Sequence, residues 1–486
     1  MTTTNFIKPS IQQAIVYAGM ALILGSIIGM IVTQFNNPLY LIVGVLGVAA
    51  FTITVISTEF GLLFLVFITY TRFSDIIVHY HNAPSIAKSF IVLLIVAIFT
   101  RWAIFHERPR GWQRPSLLIG AYGLVGLISL LYASNTEKVI LSLNDFWKDA
   151  IIAIIVVILL QRGVTFRRVI WSLLLAGIFM GTVSVFQFLT KSFTNNYWGF
   201  AQAKIMEIVV GTDDYRISGP VGDPNFFAQT MLVLVPLALE RMLSERRWLL
   251  RILAGWSLAV SALTVVFTYS RGGFLAMTVT VILIFLFFPP RRKSLPFLII
   301  IMVGIVLLIP RSYYERIFTL KEAFQSPTVG FRTRDLAIRG RASENLTAVE
   351  MFKDHPFLGV GLNNYSNNYL AYTKKLGISL TARERAAHNL FLEVAAETGV
   401  LGLVVFFVLI WVTIKTILSA RKMFNLANMN DYFRLTTAFF IGFIGYLSAA
   451  IFIHNAYPRY FYLLIGIGLS LNFLADNTIT TQEKSL

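Results

Sequence analysis

The chain alternates long apolar stretches with short polar connections over most of its length. A helix of about 20 apolar residues is long enough to cross a bilayer. The third stretch is the weakest of those that reach this length, because Arg72 and Asp75 interrupt it. The pattern predicts twelve to fourteen transmembrane helices, near residues 11–33, 38–57, 59–79, 86–105, 115–133, 143–161, 168–190, 223–241, 248–268, 274–289, 295–310, 388–414, 435–455 and 459–475.

Composition agrees with an all-α, polytopic membrane protein. Of 486 residues, 56% are hydrophobic and 13% are charged, whereas about a quarter of the residues in a soluble protein are charged. The first apolar stretch is too long for a signal-peptide core and no cleavage site follows it, so we expect it to remain as a helix. The sequence has no cysteine, which excludes disulfides and thiol chemistry.

The basic residues predict the orientation of the helices. The formal net charge is +17, and the short basic loops are separated from one another by even numbers of predicted spans. All of these loops therefore fall on one side, which the positive-inside rule identifies as the cytoplasm, together with both termini. The clusters are Arg101, Arg108, Arg110 and Arg114; Arg162, Arg167 and Arg168; Arg241, Arg246, Arg247 and Arg251; Arg291, Arg292 and Lys293; and Lys415, Arg421, Lys422 and Arg434.

Two long polar segments, 191–222 and 311–387, then lie on the outer side. We predict an N-terminal transmembrane region of about eleven spans over 1–310, a partly helical periplasmic loop over 311–387, and C-terminal transmembrane helices over 388–486. Within the loop, the apolar spacing predicts helices near 343–354 and 364–375, joined by a turn at 355–362. A loop of this length is more often functional than idle.

Ionisable residues that enter the apolar spans do so near the predicted outer ends. Ion-coupled transporters usually need charged or broken-helix sites near the middle of the bilayer. The pattern instead predicts polar chemistry at the level of the outer lipid headgroups, where a lipid-linked diphosphate would lie. The residues are Lys148, Asp149, Arg271, His388, Glu393, Glu397 and His454.

The stretch "TYSRGGFLAM" (268–277) places Arg271 in a tight turn between two spans. One interpretation is an interfacial arginine that extends to lipid phosphates. The other is a guanidinium that binds a diphosphate through two parallel hydrogen bonds. The residues alone leave both interpretations open.

The stretch "YRISGPVGDPNFFAQ" (215–229) places Arg216 before a turn that opens a helix. Asp223 or Asn225 is predicted to cap that helix. A second interpretation brings Arg216 beside Arg271 at the outer mouth of the protein. The aspartates of this region have no specific metal-ligand spacing, so we predict no metal and no other cofactor.

The stretch "HNLFLEVAAETGVLGLVVFF" (388–407) begins with polar residues and ends as an apolar span. Asn389, Glu393 and Glu397 are spaced four residues apart, which predicts one polar stripe on a helix. We interpret Glu393 and Glu397 as structural carboxylates that bond to neighbouring spans. His388 points away from this stripe and is the candidate general base, with nearby cations lowering its pKa.

These segments, together with "RASENLTAVEMFKDHPFLGVGLNNY" (341–365), resemble the O-antigen ligase and O-antigen polymerase superfamily. The resemblance covers 216–407, and the first two hundred residues are similar only as a multi-span region. It implies a GT-C-like membrane fold and glycan transfer from undecaprenyl diphosphate at the periplasmic face of a bacterial inner membrane, without metal or nucleotide. Essential arginines and a histidine of the ligases match Arg216, Arg271 and His388, and Arg341 matches a recurrent loop arginine.

From the residues and the resemblance we expect an inverting glycosyltransferase of lipopolysaccharide or related cell-envelope biosynthesis. His388, Arg216 and Arg271 are the predicted catalytic residues, and Arg341, Asp223, Asn225 and Asn389 are the predicted substrate-binding residues. The expected partners are the lipid-linked donor, membrane lipids and a saccharide acceptor, such as lipid A core or a second lipid-linked glycan. Nucleic acid is not expected. Ligation is the preferred activity, polymerisation of repeat units is the alternative, and solute or anion transport ranks third.

Overall fold

The computed structural model describes residues 19, 53–54, 57–207, 213–289, 336–378, 383–454 and 458–483. The all-α, polytopic fold is confirmed. Within the described residues the chain forms fourteen α-helices and one two-stranded sheet. The helices are α1 (Thr58–Tyr70), α2 (Phe73–His81), α3 (Ile86–Phe105), α4 (Gln113–Ile128), α5 (Thr136–Leu159), α6 (Gly163–Leu189), α7 (Pro224–Ser244), α8 (Trp248–Phe267), α9 (Arg271–Phe287), α10 (Leu336–Asp354), α11 (Tyr365–Lys375), α12 (Leu390–Leu426), α13 (Asn430–Ala450) and α14 (Pro458–Glu483); the strands are β1 (Gln202–Glu207) and β2 (Asp213–Gly219).

Most predicted spans correspond to one observed helix. Eight of the described helices are long and apolar enough to cross a membrane, and α1 with α2 makes a ninth if the pair is one broken span. The loop helices α10 and α11 lie where the apolar spacing predicts them. The predicted span 295–310, nearly all of the predicted spans 11–33 and 38–57, and the loop residues 311–335 lie outside the described residues.

The predicted span 59–79 is two helices that meet at an angle of 55°. Arg72 lies at the bend in a left-handed conformation, with φ of 52°. Its Nε pairs with Asp75 at 3.2 Å and its Nη1 donates to the Val221 carbonyl at 3.1 Å. The break therefore keeps both charged side chains bonded to protein, where burial without a partner would be costly.

Several helices extend beyond their predicted bounds, among them α5, α12 and α14. Helix α5 begins at Thr136 instead of 143, because its polar first turns contact the loop: Lys138 Nζ bonds Ser366 at 3.2 Å and Glu384 at 3.1 Å. Helix α12 continues to Leu426 instead of 414, with the Arg421 guanidinium 4.6 Å from the centre of the Phe433 ring. Apolar length alone misses helical turns that protein contacts stabilise.

A β-hairpin occupies part of the polar segment 191–222, for which the sequence predicted no secondary structure. Strands β1 and β2 are antiparallel, and their register pairs Lys204 with Arg216. The hairpin ends directly before α7, so it delivers Arg216 to the first turn of that helix.

Several of the predicted basic loops meet at one end of the molecule. Arg168 binds Glu59 at 2.7 Å, Arg167 binds Glu245 at 2.5 Å, and Arg241 binds Asp431 at 2.9 Å. These ion pairs join the loops before α6, after α7 and before α13. The arrangement agrees with a common side for these loops, and the identity of that side as the cytoplasm stays a prediction.

At the other end, the turn between α10 and α11 packs against a break in α12. Gly399 has φ of 61°, and the backbone N–H groups of Val360 and Val400 donate to the carbonyls of Ala396 and Pro356 at 2.9 and 2.7 Å. A methyl group at Gly359 or Gly399 would overlap the backbone of the opposing segment. The two glycines allow this close approach, which holds the loop at the start of α12.

Candidate functional site

The first part of the site is built around Arg216 on β2. Its side chain is buried, with 2% of its surface exposed. Nε donates to the Thr268 carbonyl at 2.7 Å, and Nη2 donates to Asn225 Oδ1 at 3.0 Å. The guanidinium therefore joins the hairpin to the α8–α9 turn and to the first turn of α7. This geometry agrees with the interpretation that brings Arg216 to the segment that carries Arg271.

Arg271 is the first residue of α9 and is 7% exposed. The preceding residue, Ser270, caps the helix by accepting from the Gly273 N–H at 3.1 Å, and it donates to Asn225 Oδ1 at 2.9 Å. Asn225 thus receives hydrogen bonds from both segments. Arg216, Asn225, Ser270 and Arg271 will be called the arginine region. Two guanidiniums and a helix N-terminus make it favourable for an anion.

The sequence left open whether Asp223 or Asn225 caps α7, and the two residues have different partners in the structure. Asp223 caps α7, accepting from the N–H groups of Asn225 at 2.8 Å and Phe226 at 3.3 Å. Asn225 instead holds Arg216 and Ser270. Their predicted part in substrate binding stays a prediction, although one oxygen of each is already bonded within the protein.

The second part of the site is a pair of histidines. His388 Nδ1 lies 3.4 Å from His454 Nδ1, and the ring planes meet at 84°. His388 has φ of 48°, a conformation that is uncommon for residues other than glycine and that concentrates at functional sites. His454 follows α13 and also contacts the Phe226 ring edge-on, with 5.2 Å between the ring centres.

Burial keeps both imidazoles neutral, and neighbouring cations add to this effect at His388. Burial, followed by His454 and the guanidiniums of Arg341 and Arg385, lowers the pKa of His388 to about 3. Burial lowers the pKa of His454 to about 4, and Asp223 partly opposes this effect. The pKa of His388 is lowered, as predicted, but burial contributes more to this shift than the cations do.

Arg341 lies on the loop helix α10 and acts electrostatically on both His388 and the buried Glu344. Burial raises the pKa of Glu344 to about 7, although Arg385 and Arg341 oppose this shift. Arg385 Nε lies 3.1 Å from Glu344 Oε1 in an ion pair that lacks hydrogen-bond alignment. The loop therefore brings two arginines and a carboxyl group to the histidine pair.

The predicted stripe of Asn389, Glu393 and Glu397 is only partly helical. Asn389 precedes α12 in an extended conformation and caps it, accepting from the N–H groups of Phe391 and Leu392 at 3.1 and 3.2 Å. It therefore lies outside the helical stripe, which is a correction to the predicted placement. Glu397 accepts from the backbone N–H groups of Asn363 and Tyr365 at 2.8 and 3.1 Å, so it binds the loop instead of a neighbouring span.

The arginine region and the histidine pair are adjacent. Phe226, which contacts His454, follows Asn225 directly in the first turn of α7. In the first turn of α9, a Cβ at Gly272 would lie 2.7 Å from Cβ of Phe452, which is two residues before His454. The N-termini of α7 and α9 therefore both pack against the segment that ends in His454.

A cavity of about 620 Å³ also reaches His454. His454 is part of its wall, and charged groups and aromatic rings make up much of the remainder. We call it the acidic cavity, because its charged lining residues are Asp75, Asp145, Asp149, Glu393 and Glu397 against Arg72 and Arg459.

Sequence reasoning did not assign His454 and Ser270 to the site. The only signals were the place of His454 at a predicted outer boundary and the position of Ser270 directly before Arg271. Neither signal identifies a partner, since His454 and His388 are far apart along the chain.

Comparison with known protein families gives a match within the second half of the chain. Residues 256–407 match a family model described as O-Antigen ligase. The matched segment contains Arg271, Arg341 and His388, whereas Arg216 and His454 lie outside it. No curated protein matches the chain.

Proposed function

The chain belongs to the O-antigen ligase and polymerase superfamily, and on that premise we propose that it is an inverting glycosyltransferase that ligates a glycan from polyprenyl diphosphate to a saccharide acceptor. The family match supports ligase- or polymerase-type activity in general. The proposed donor is undecaprenyl diphosphate glycan, and the proposed face is the periplasmic face of the bacterial inner membrane.

One observation carries the assignment of roles. The N-termini of α7 and α9, which hold Arg216 and Arg271, pack against the segment of His454, and His454 contacts His388 at 3.4 Å. A cationic group for a diphosphate and an imidazole for a hydroxyl group thus occur in neighbouring parts of one site. Glycan transfer from a lipid diphosphate needs both groups close together.

In the proposed reaction, a hydroxyl oxygen of the acceptor attacks the anomeric carbon of the donor. His388 takes the hydroxyl proton as the new glycosidic C–O bond forms and the C–O bond to the diphosphate breaks. Arg216 and Arg271 stabilise the negative charge that develops on the leaving diphosphate. Attack opposite to the leaving group inverts the configuration at the anomeric carbon.

The low pKa of His388 fits this role in two stages. Before the donor binds, burial and the nearby Arg341 and Arg385 keep the imidazole neutral and able to accept a proton. The bound diphosphate then adds negative charge to the site and raises the pKa of His388 from about 3 towards neutrality, where a general base is most effective.

A reconstituted transfer assay tests the proposal. Purified protein in proteoliposomes receives a defined undecaprenyl diphosphate glycan with candidate acceptors, and mass spectrometry identifies the product. We expect transfer by the wild type and its loss in His388→Ala, while His106→Ala, a change in the exposed loop between α3 and α4, retains it. Unchanged transfer by His388→Ala would remove the general base from the proposal.

The same assay separates ligase from polymerase. With lipid-linked repeat units and no other acceptor, a ligase leaves the donor unconsumed, whereas a polymerase forms longer lipid-linked chains. A transporter would instead move solute in the absence of any transfer, and uptake would survive the loss of His388.

A further inference from the structure

The acidic cavity lies beside the catalytic groups of the proposed reaction, but its electrostatics differ from theirs. It is bounded by α4, α5, the starts of α12 and α14, and the turn before α11. Among the described residues, its lining includes His454 and does not include Arg216 or Arg271. The cavity therefore meets the site at His454 and not at the arginines.

The lining has an excess of negative charge. Arg459 binds Asp75 and Asp149, each at 3.0 Å, and Arg72 binds Asp75 at 3.2 Å. The lining thus holds five carboxylates against two guanidiniums, and one of the five, Asp145, also pairs with Lys148 at 2.9 Å. Like charges repel strongly in a partly buried site, so a diphosphate is the wrong ligand for this cavity.

The remaining lining suits a sugar ring. Tyr122, Phe146, Tyr365 and Tyr462 contribute aromatic surface, while Asn363 contributes polar groups. Aromatic rings pack against the apolar C–H faces of a pyranose, and carboxylates accept hydrogen bonds from its hydroxyl groups. A mostly preformed pocket with a few convergent polar groups is typical of a small-molecule site, and a volume of about 620 Å³ lies within the usual range.

The lining carboxylates differ in their position and in the groups that hold them. Asp75 and Asp149 are held by Arg459, and Glu397 accepts two backbone N–H groups. Asp145 keeps 66% of its side-chain surface exposed while pairing with Lys148 at 2.9 Å. Glu393 lies one helical turn before Glu397 on the same wall.

We propose that the acidic cavity binds the acceptor as an uncharged saccharide, with Asp145 and Glu393 accepting hydrogen bonds from its hydroxyl groups. This inference rests on the proposed function and adds the chemical class of the acceptor. The reacting hydroxyl group enters past His454, which connects the cavity to His388. A phosphorylated acceptor is disfavoured by the same carboxylates.

A binding experiment tests the cavity without the donor. Saturation-transfer NMR and calorimetry on protein in nanodiscs compare a panel of uncharged trisaccharide glycosides with the same glycosides carrying a phosphate. We expect at least one uncharged glycoside to bind about tenfold more tightly than its phosphorylated form. Asp145→Asn and Glu393→Gln should weaken that binding about tenfold, since hydrogen bonds to charged groups contribute roughly this much.

Asp354→Asn is the matched control. Asp354 is a carboxylate on the loop helix α10 that pairs with Lys375 outside the cavity, so the same chemical change there should leave binding unaltered. Equal or tighter binding of the phosphorylated glycosides would overturn the proposal. So would wild-type affinity in both cavity variants, or no binding by any uncharged glycoside.

Transfer kinetics then distinguish this inference from the proposed function. Asp145→Asn should raise the KM for the acceptor about tenfold, while the KM for the donor and kcat at saturating acceptor stay within about twofold. A higher donor KM with an unchanged acceptor KM would assign the cavity to the donor. If the wild type transfers no glycan at all, the proposed function fails, and the binding experiment still decides the ligand of the cavity.

Discussion

The arginine region lies beside the segment that ends in His454, and the acidic cavity has His454 in its wall, yet the two regions have opposite charge and different construction. Arg216 and Arg271 are 2% and 7% exposed, and short polar contacts through Asn225 and Ser270 hold their segments. The cavity is a space of about 620 Å³ with a carboxylate-rich, aromatic wall. In the proposed reaction, this contrast in charge separates the anionic leaving group from the uncharged acceptor.

The two regions are also fixed by different parts of the chain. The β-hairpin and the N-termini of α7 and α9 build the arginine region, whereas the loop turn before α11 closes one wall of the cavity. Changes in the loop should therefore affect the acceptor more than the donor. The predictions below use this separation.

The largest effect is expected from removing a guanidinium. Arg216→Ala or Arg271→Ala should lower kcat by about 10²- to 10³-fold, because one preorganised partner of the leaving charge is lost. Rates measured in proteoliposomes at saturating acceptor check this. Arg246→Ala, an exposed arginine at the opposite end, is the control. Near-normal transfer by Arg271→Ala would contradict a role of the arginine region in leaving-group stabilisation.

A smaller effect is expected from Asn225→Ala. This change removes the acceptor for both Arg216 and Ser270, so we expect a loss of about ten- to a hundredfold in kcat. The KM for the acceptor should not change, because Asn225 belongs to the arginine region. Asn225→Asp keeps an oxygen acceptor and should restore most of the rate. An equal loss in both variants would argue that Asn225 contacts substrate directly instead of positioning Arg216.

A substitution in the loop tests how the turn before α11 supports the cavity. Gly359→Ala should destabilise the folded protein by about 2 kcal/mol or more, because it combines a strained φ of 72° with overlap of the Glu397 backbone. Displacing the turn should also raise the acceptor KM, since the adjoining Asn363 and Tyr365 line the cavity.

Gly377→Ala is the matched control for this change. Gly377 has φ of 66° but open space around its Cβ position, so it has the conformational cost without the overlap. Thermal unfolding and loop proteolysis measure both variants. Equal destabilisation by Gly359→Ala and Gly377→Ala would mean that the close approach of the turn to α12 contributes nothing to the stability of the protein.

The smallest effect concerns pH and the histidine pair between the two regions. The folded pKa values of His388 and His454, about 3 and about 4, lie below the ordinary 6.5. Between about pH 4 and 6.5 the unfolded chain therefore binds more protons than the folded protein. The free energy of unfolding falls as pH falls through this window. Glu344 opposes this slope, because its folded pKa of about 7 lies above its ordinary value.

Comparing variants isolates the histidines, because Glu344 is the same in each. The apparent unfolding temperature of the wild type, measured from pH 4.5 to 7, should fall more steeply on acidification than that of His388→Asn. The same slope in both proteins would mean that water reaches His388 freely.

The sequence determined much of the secondary structure. Local hydropathy predicted α3, α6, α7 and α8, and apolar spacing predicted the loop helices α10 and α11. The cap at Asp223 was one of two predicted possibilities. These features depend on residues close together in the chain, and periodicity and capping chemistry report them directly.

Only the tertiary structure decided how the site is assembled. The contact between His388 and His454, the hydrogen bonds that Asn225 receives from Arg216 and Ser270, and the docking of the Gly359 turn on α12 join residues that are distant along the chain. No local pattern encodes such partners, because they depend on which helix ends pack together. The sequence named most of the proposed site residues, and packing determined which of them meet.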